Sequence, residues 1–360
     1  MLKMPESMKE IEIQAAEKLK ELLGEIPPVI LEDVELEAFH GDRGIDIRVR
    51  LRAFNHPHTL VCEVKANGQP RHVRSAVLQL RNYVAHVEGN ATPIFVAPYL
   101  SPDSQELCRE HGVGFMDLQG NAYITFEGVF IERLVGRAPP AEKRELKSLF
   151  KPKAAQVLLV MLRDPERAWR VAELAEAAEV SLGHVSNVRA ALLDREWAQA
   201  DSDGMFLAEP DSLLDAWQED YEPPAGKKLR FYTPLHGSSF DEAVRRVLRV
   251  GADKAHAVLA SFSAAHWLAP YARTGSNFFY ADDIGLERLK EELRLSSTSK
   301  GENVVITLPK DSWLLTDTTE PAPGIFCTSP ARTYLDLASA GERGREAADH
   351  LRREELKWQK

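Results

Sequence analysis

The spacing of apolar residues changes period along the first third of the chain. Met8 to Leu23 carries the rhythm of a charged amphipathic helix. In "GIDIRVRL" the period becomes two: Ile45, Ile47, Val49 and Leu51 share one strand face, and Asp46, Arg48 and Arg50 take the other. After the "NHPH" turn, "TLVCEVK" reads as a buried strand through Leu60, Val61, Cys62 and Val64. A helix from about Arg71 to Val87 follows, with Val73, Val77, Leu80 and Val84 on its core face. His72, Ser75, Gln79, Tyr83 and His86 fall on a separate polar stripe. "TPIFVAP" reads as a buried strand, and "SPDSQELCREHG" as a helix capped by Ser101, with Pro102 at its first position and Gly112 at its end. "VGFMD", where Asp117 reads as a turn residue, and the hairpin "AYITFEGVFIER" close the segment. The order α-β-β-β-α-β-α-β predicts a three-layer α/β domain with a mixed sheet.

Two polar stretches punctuate the rest of the chain. Arg137 to Lys153 is rich in proline and charge, and Asp220 to Leu229 contains "YEPPAGKK". They predict domains at 1–137, 150–222 and 228–360. The middle segment reads as a helix over Ala154–Arg163, a short strand at "AWRV" and a helix over Val171–Glu179. A helix capped by Ser181 comes next, with Val185, Val188 and Leu192 inward and His184, Asn187 and Arg189 outward. "AQADSDGMFLAEP" then reads as a hairpin with Gly204 at its tip. In the last segment "AHAVLASFSAAHWLAPY" reads as an Ala-rich helix, and "NFFYADD" and "ENVVITLPKD" as strands. A long helical tail is expected to break near Gly341 and Gly344. The fold class is thus multidomain, α/β followed by α+β.

Composition narrows the classes. The 360 residues carry a net charge of −10, which argues against a chain that coats nucleic acid indiscriminately but leaves room for a local basic surface. Cys62, Cys108 and Cys327 are few, scattered and without metal-ligand spacing, so a reduced, cytoplasmic setting is expected. Apolar runs such as Ala154 to Leu162 are too short to span a bilayer, and the first residues lack a signal-peptide core.

The candidate chemistry sits where charge interrupts the buried strand. Glu63 and Lys65 leave the same face of "TLVCEVK", and folding back at Ala53 to His58 brings Asp46 across from Glu63 or its near neighbours. Two converging carboxylates suit a hard divalent cation, Mg²⁺ or Mn²⁺. Such a cation polarises a phosphodiester, and an adjacent lysine orients water or offsets developing charge. A Glu-x-Lys pair also decorates many solvated strands, and that reading stays open. From Lys65 to Val87 there is no acidic residue, while Arg71, Arg74 and Arg81 are basic; the window reads as a phosphate-facing surface.

This pattern resembles the PD-(D/E)xK nuclease superfamily through Asp46 and Glu63-Val64-Lys65, with "QLRNY" similar to the Gln-x-x-x-Tyr motif of RecB-like nucleases. Ile45 stands where the motif has proline, a position that varies. The resemblance implies a restriction-endonuclease-like fold, metal ligation by Asp46 and Glu63, catalysis by Lys65, and support from Gln79 and Tyr83. It equally allows a site that only binds DNA.

The middle segment resembles a winged helix-turn-helix, which implies that its second helix enters a DNA major groove. Asn187 then reads adenine edges, His184 lies beside it, and Ser181 or Arg189 holds phosphates. Acidic residues outnumber Lys and Arg there, and Asp201 and Asp203 lie on the hairpin, so a protein-contact role is the alternative. The last segment resembles the AbiEi antitoxins of type IV toxin–antitoxin systems through "SFSAAHWLAP", "GENVVITLP", "SPARTYLDL" and the spacing from Gly341 to Leu351. That resemblance implies an operator-binding regulator, with double-stranded DNA and a nucleotidyltransferase-like toxin as partners; a homodimer is a separate expectation.

Overall fold

A computed structural model describes residues 7–40, 43–87, 89–135, 138–248, 255–271, 274–297 and 301–358. The chain divides into two compact units, 1–146 with 191–196, and 147–190 with 197–360. The second and third expected segments share one unit, and the expected boundary at Arg137 lies outside the described residues.

The first unit opens with helix α1 (Met8–Gly24), closed at its start by a reciprocal Ser7–Glu10 capping box. Strands β1 (Val29–His40), β2 (Arg43–Ala53) and β3 (His56–Val64) follow, then α2 (Pro70–Val84), β4 (Ala91–Ala97), α3 (Pro102–Glu110), β5 (Gly114–Asp117), β6 (Ala122–Phe126) and β7 (Val129–Arg133). The seven strands lie in sequence order; β3, β4 and β5 run parallel and the outer pairs antiparallel. Helix α1 packs Ile11, Ala15, Leu19 and Leu23 against one face, with Ile47, Val49 and Leu51. Helices α2 and α3 cover the other, with Val61, Phe95 and Phe115.

Three local expectations change in this unit. Ile45 packs with the α2 side rather than with Ile47. Tyr83 leaves the expected polar stripe and is buried with Val73 and Leu80, whereas Val84 is only half-buried. The stretch after Arg137 is no open linker, for Pro140–Leu149 forms helix α4. Asp117 serves the expected turn: fully buried, it accepts backbone N–H groups of Leu100, Gln119, Gly120 and Asn121.

The second unit contains α5 (Pro152–Arg163), α6 (Val171–Ala177), the start of α7 (Leu182–Asp194), β8 (Ala198–Ala200), β9 (Met205–Leu207) and α8 (Pro210–Glu219). Trp169 bridges to Met205, adding a third short extended segment beside the β8–β9 hairpin. The remainder comprises β10 (Gly226–Tyr232), α9 (Ser238–Leu248), β11 (Ala257–Leu259), α10 (Ser261–Leu268), β12 (Asn277–Ala281), α11 (Asp283–Glu292), β13 (Ser296–Ser297) and β14 (Val304–Pro309). A 3-10 turn (Ser312–Leu315), β15 (Thr318–Ala322), β16 (Ile325–Thr328), α12 (Pro330–Ala338) and α13 (Glu342–Glu355) complete it. Its sheet runs β13-β10-β14-β12-β11-β16-β15.

The Ala-rich stretch is therefore not one helix. Ala257–Leu259 is a strand, and Ser261, at φ 49°, turns the chain into α10. The tail breaks at Gly341 (φ 82°) but not at Gly344, which lies inside α13.

Candidate functional site

Strand pairing places the first cluster. The β2–β3 ladder ends with Ile47 opposite Cys62, so the next positions are Asp46 and Glu63. There the backbone pairing is replaced: the Val64 N–H donates to Asp46 Oδ2 at 2.6 Å. Across β2, Glu37 on β1 takes a left-handed conformation (φ 52°) where regular pairing is interrupted. Glu63 is 5% exposed, and Lys65 Nζ donates to its Oε1. Each carboxylate thus has one oxygen fixed, while Asp46 Oδ1 and Glu63 Oε2 have no hydrogen-bond partner among the described residues.

Burial holds the Glu63 carboxyl above its ordinary range; Lys65 opposes that shift and the Asp46 charge adds to it. Glu12 behaves alike: it is nearly buried on α1, and burial, then Asp46 and Glu37, raise its pKa. Four carboxylates therefore share one field, and sequence reasoning found only two. Glu12 interrupts the apolar face between Ile11 and Ala15, the signal that could have shown it. Among the described residues no three His, Cys, Asp or Glu side chains are arranged to hold a metal ion. Asp46 and Glu63 nonetheless fit a hard cation, as two repelling carboxylates each with an unengaged oxygen.

The remaining expected residues of this unit are dispersed. Gln79 is exposed and makes no hydrogen bond to Asp46, Glu63 or Lys65 among the described residues. Tyr83 interacts with the Arg48 side chain from within the core. Arg74 Nε donates to Glu196 at 2.8 Å, Arg71 lies 3.8 Å from Asp194, and Arg81 donates to the His111 carbonyl. These arginines are exposed but already engaged.

On α7 the inward and outward sets fall as expected. Val185, Val188 and Leu192 are buried, Ser181, His184 and Asn187 are exposed, and Arg189 is half-buried. Ser181 Oγ lies 2.9 Å from His184 Nδ1. Asp282 caps α11, accepting the Gly285 N–H, and faces His256. No helix of the described residues is long and apolar enough to cross a membrane.

Residues 206–357 match the family model of the AbiEi antitoxin, a transcriptional regulator of type IV toxin–antitoxin systems. Solved structures similar to part of the chain include EndoMS in its apo form, 22% identical over 31% of this chain and 46% of that one, with a TM-score of 0.23. A repair endonuclease from Pyrococcus abyssi is 20% identical over 31% and 49%, at a TM-score of 0.24. The EndoMS–dsDNA2 complex is 19% identical over 33% and 46%, at 0.25. The chain spans less than half the length of each of these proteins. No curated protein matches it.

Proposed function

We propose that this protein is a DNA-binding transcriptional regulator of the antitoxin type, acting on double-stranded DNA in the cytoplasm and paired with a nucleotidyltransferase-like toxin. The observation that carries the reading is the AbiEi match over residues 206–357. The element order ahead of it supports the same reading: α5, the Trp169 bridge, α6, α7 and the β8–β9 hairpin follow the plan of a winged helix-turn-helix. Ser181, His184 and Asn187 on the exposed face of α7 would meet base edges and phosphates. A gel-shift titration with the DNA upstream of the protein's own coding region tests it. Preference for that DNA over random duplex, weakening steeply with salt, is expected; equal affinity for both would overturn the assignment.

A second reading, favoured by Asp46, Glu63 and Lys65 at the end of the β2–β3 ladder, is a metal-dependent deoxyribonuclease. Asp46 and Glu63 would hold Mg²⁺ or Mn²⁺, which when bound polarises a phosphodiester and lowers the pKa of water. The chain's own part is to hold the two carboxylates together and keep the Lys65 ammonium at the same edge. Cleavage of linear, nicked or branched DNA by the wild type, lost in Lys65→Ala, is the expected result. Intact DNA with both metals would eliminate this reading.

A further inference from the structure

We propose that the second unit binds a small ligand that joins an oxyanion, a carboxylate or phosphate, to a flat ring. Between α5, the end of α8, the 3-10 turn and α12 lies a cavity of about 400 Å³. That volume falls in the usual range of small-molecule sites, roughly 300–1,000 Å³. Phe150 and Trp217 line it with rings stacked 5.5 Å apart and 4° from parallel, and Trp313 adds a further aromatic surface. Such walls suit a planar, apolar body.

Arg332 gives the cavity its specificity. It lines the space, is 7% exposed, and its Nε has no hydrogen-bond partner. Nη1 donates to the Tyr221 hydroxyl at 3.2 Å, and that hydroxyl donates onward to Asp336. Among the described residues Arg332 has no direct ion pair; the Tyr221 hydroxyl links the guanidinium to Asp336, and the Asp336 and Asp317 carboxylates act on it through space. Its neighbours hold the guanidinium charged despite its burial, and the planar fork, with an Nε–H that the protein leaves unpaired, matches an oxyanion.

The other charged residues around the cavity support an anion as the occupant. Lys147 already faces Asp220 at 3.5 Å, and Asp311 accepts from Gln156 Nε2 and the Trp313 N–H. Lys151 and Lys310 line the same cavity, are exposed, and make no ion pair among the described residues. Against them stands Glu222, whose carboxylate has no partner among the described residues. Neutral donors leave the Asp311 charge in place, so Lys151, Lys310 and Arg332 stand against Glu222 and Asp311, an excess of one positive charge in the lining. The proposal does not depend on DNA binding or on the carboxylate site of the other unit.

Calorimetric titration of the full chain with benzoate, adenosine monophosphate and inorganic phosphate tests it. At least one ring-bearing anion should bind saturably and more tightly than phosphate, and the two ring-bearing arms distinguish a carboxylate source from a nucleotide. Lys151→Glu with Lys310→Glu, both on exposed side chains, should weaken binding by about tenfold or more. Arg332→Gln should abolish it. The proposal is overturned if none of the three probes binds, if phosphate alone binds as tightly as the ring-bearing anions, or if the double charge reversal leaves affinity unchanged.

Discussion

Glu63 shows what one side chain reveals about its site. Its carboxyl is raised in the folded protein, first by burial and then by Asp46, against the pull of Lys65. A carboxyl raised on folding contributes its stability fully below the unfolded pKa and loses it as pH rises through the folded pKa. Glu63→Gln should therefore melt higher than wild type at pH 8, by a few degrees, and flatten stability between pH 4 and 8. Thermal melts across that range check this, and a lower melting point at pH 8 would mean that the Lys65 pair dominates. Millimolar MgCl₂ should raise the wild-type midpoint and leave Glu63→Gln unmoved, a readout independent of cleavage. Asp46, Glu63 and Lys65 were legible because charge breaking a buried strand is conspicuous. Glu12 was not, because one glutamate in a helix of many charges looks like its solvated face until the sheet covers it. Tyr83 fitted the polar stripe by spacing, yet its ring is large enough to prefer the core at that angle.

At the scale of elements, the end of β2 departs from regular pairing, and the departure makes the site. The Val64 N–H turns to a side-chain carboxylate, so Asp46→Ala would remove a proposed ligand and also leave a buried donor unpaired. That substitution should cost about 1–3 kcal/mol, whereas Asp46→Asn keeps an acceptor and should unfold close to wild type. Urea denaturation of both variants separates the structural from the chemical role. The placing of Asp46 beside Glu63 followed from alternation, but the crossing of Ile45 to the α2 side did not, because it breaks the alternation that Ile47 and Val49 keep. The Ala-rich stretch misled for a different reason: alanine favours helix, and three buried residues are too short for a strand to announce itself. Gly344 is a packing residue rather than a breaker, since a Cβ there would meet the Leu337 carbonyl oxygen at 2.2 Å. Gly344→Ala should destabilise the α12–α13 pair by about 1–3 kcal/mol, measured by the same denaturation.

Across the whole molecule, the Pro-rich stretch after Asp220 shows where composition stops informing. It looks like a linker, yet Tyr221 within it donates to Asp336, which also accepts from Tyr280 and is fixed on α12. Contacts such as Arg163 to Asp317 and Gln156 to Asp311, which sequence polarity does not show, tie 147–190 to 197–360 in one unit. The net charge of −10 acts on both proposed activities together, because a polyanion meets DNA only where local charge reverses the global field. Specific contacts must then carry affinity, and those proposed lie on α7, apart in sequence from Asp46, Glu63 and Lys65. Asn187→Ala should weaken binding to the upstream DNA by about 1–3 kcal/mol while leaving random-duplex affinity nearly unchanged. Lys65→Ala should leave that binding intact and remove any metal-dependent cleavage. Measuring both variants in parallel gel-shift and cleavage assays distinguishes a regulator from a nuclease. If Asn187→Ala is silent in binding and Lys65→Ala weakens it, the recognition surface belongs to the first unit and the assignment to α7 fails.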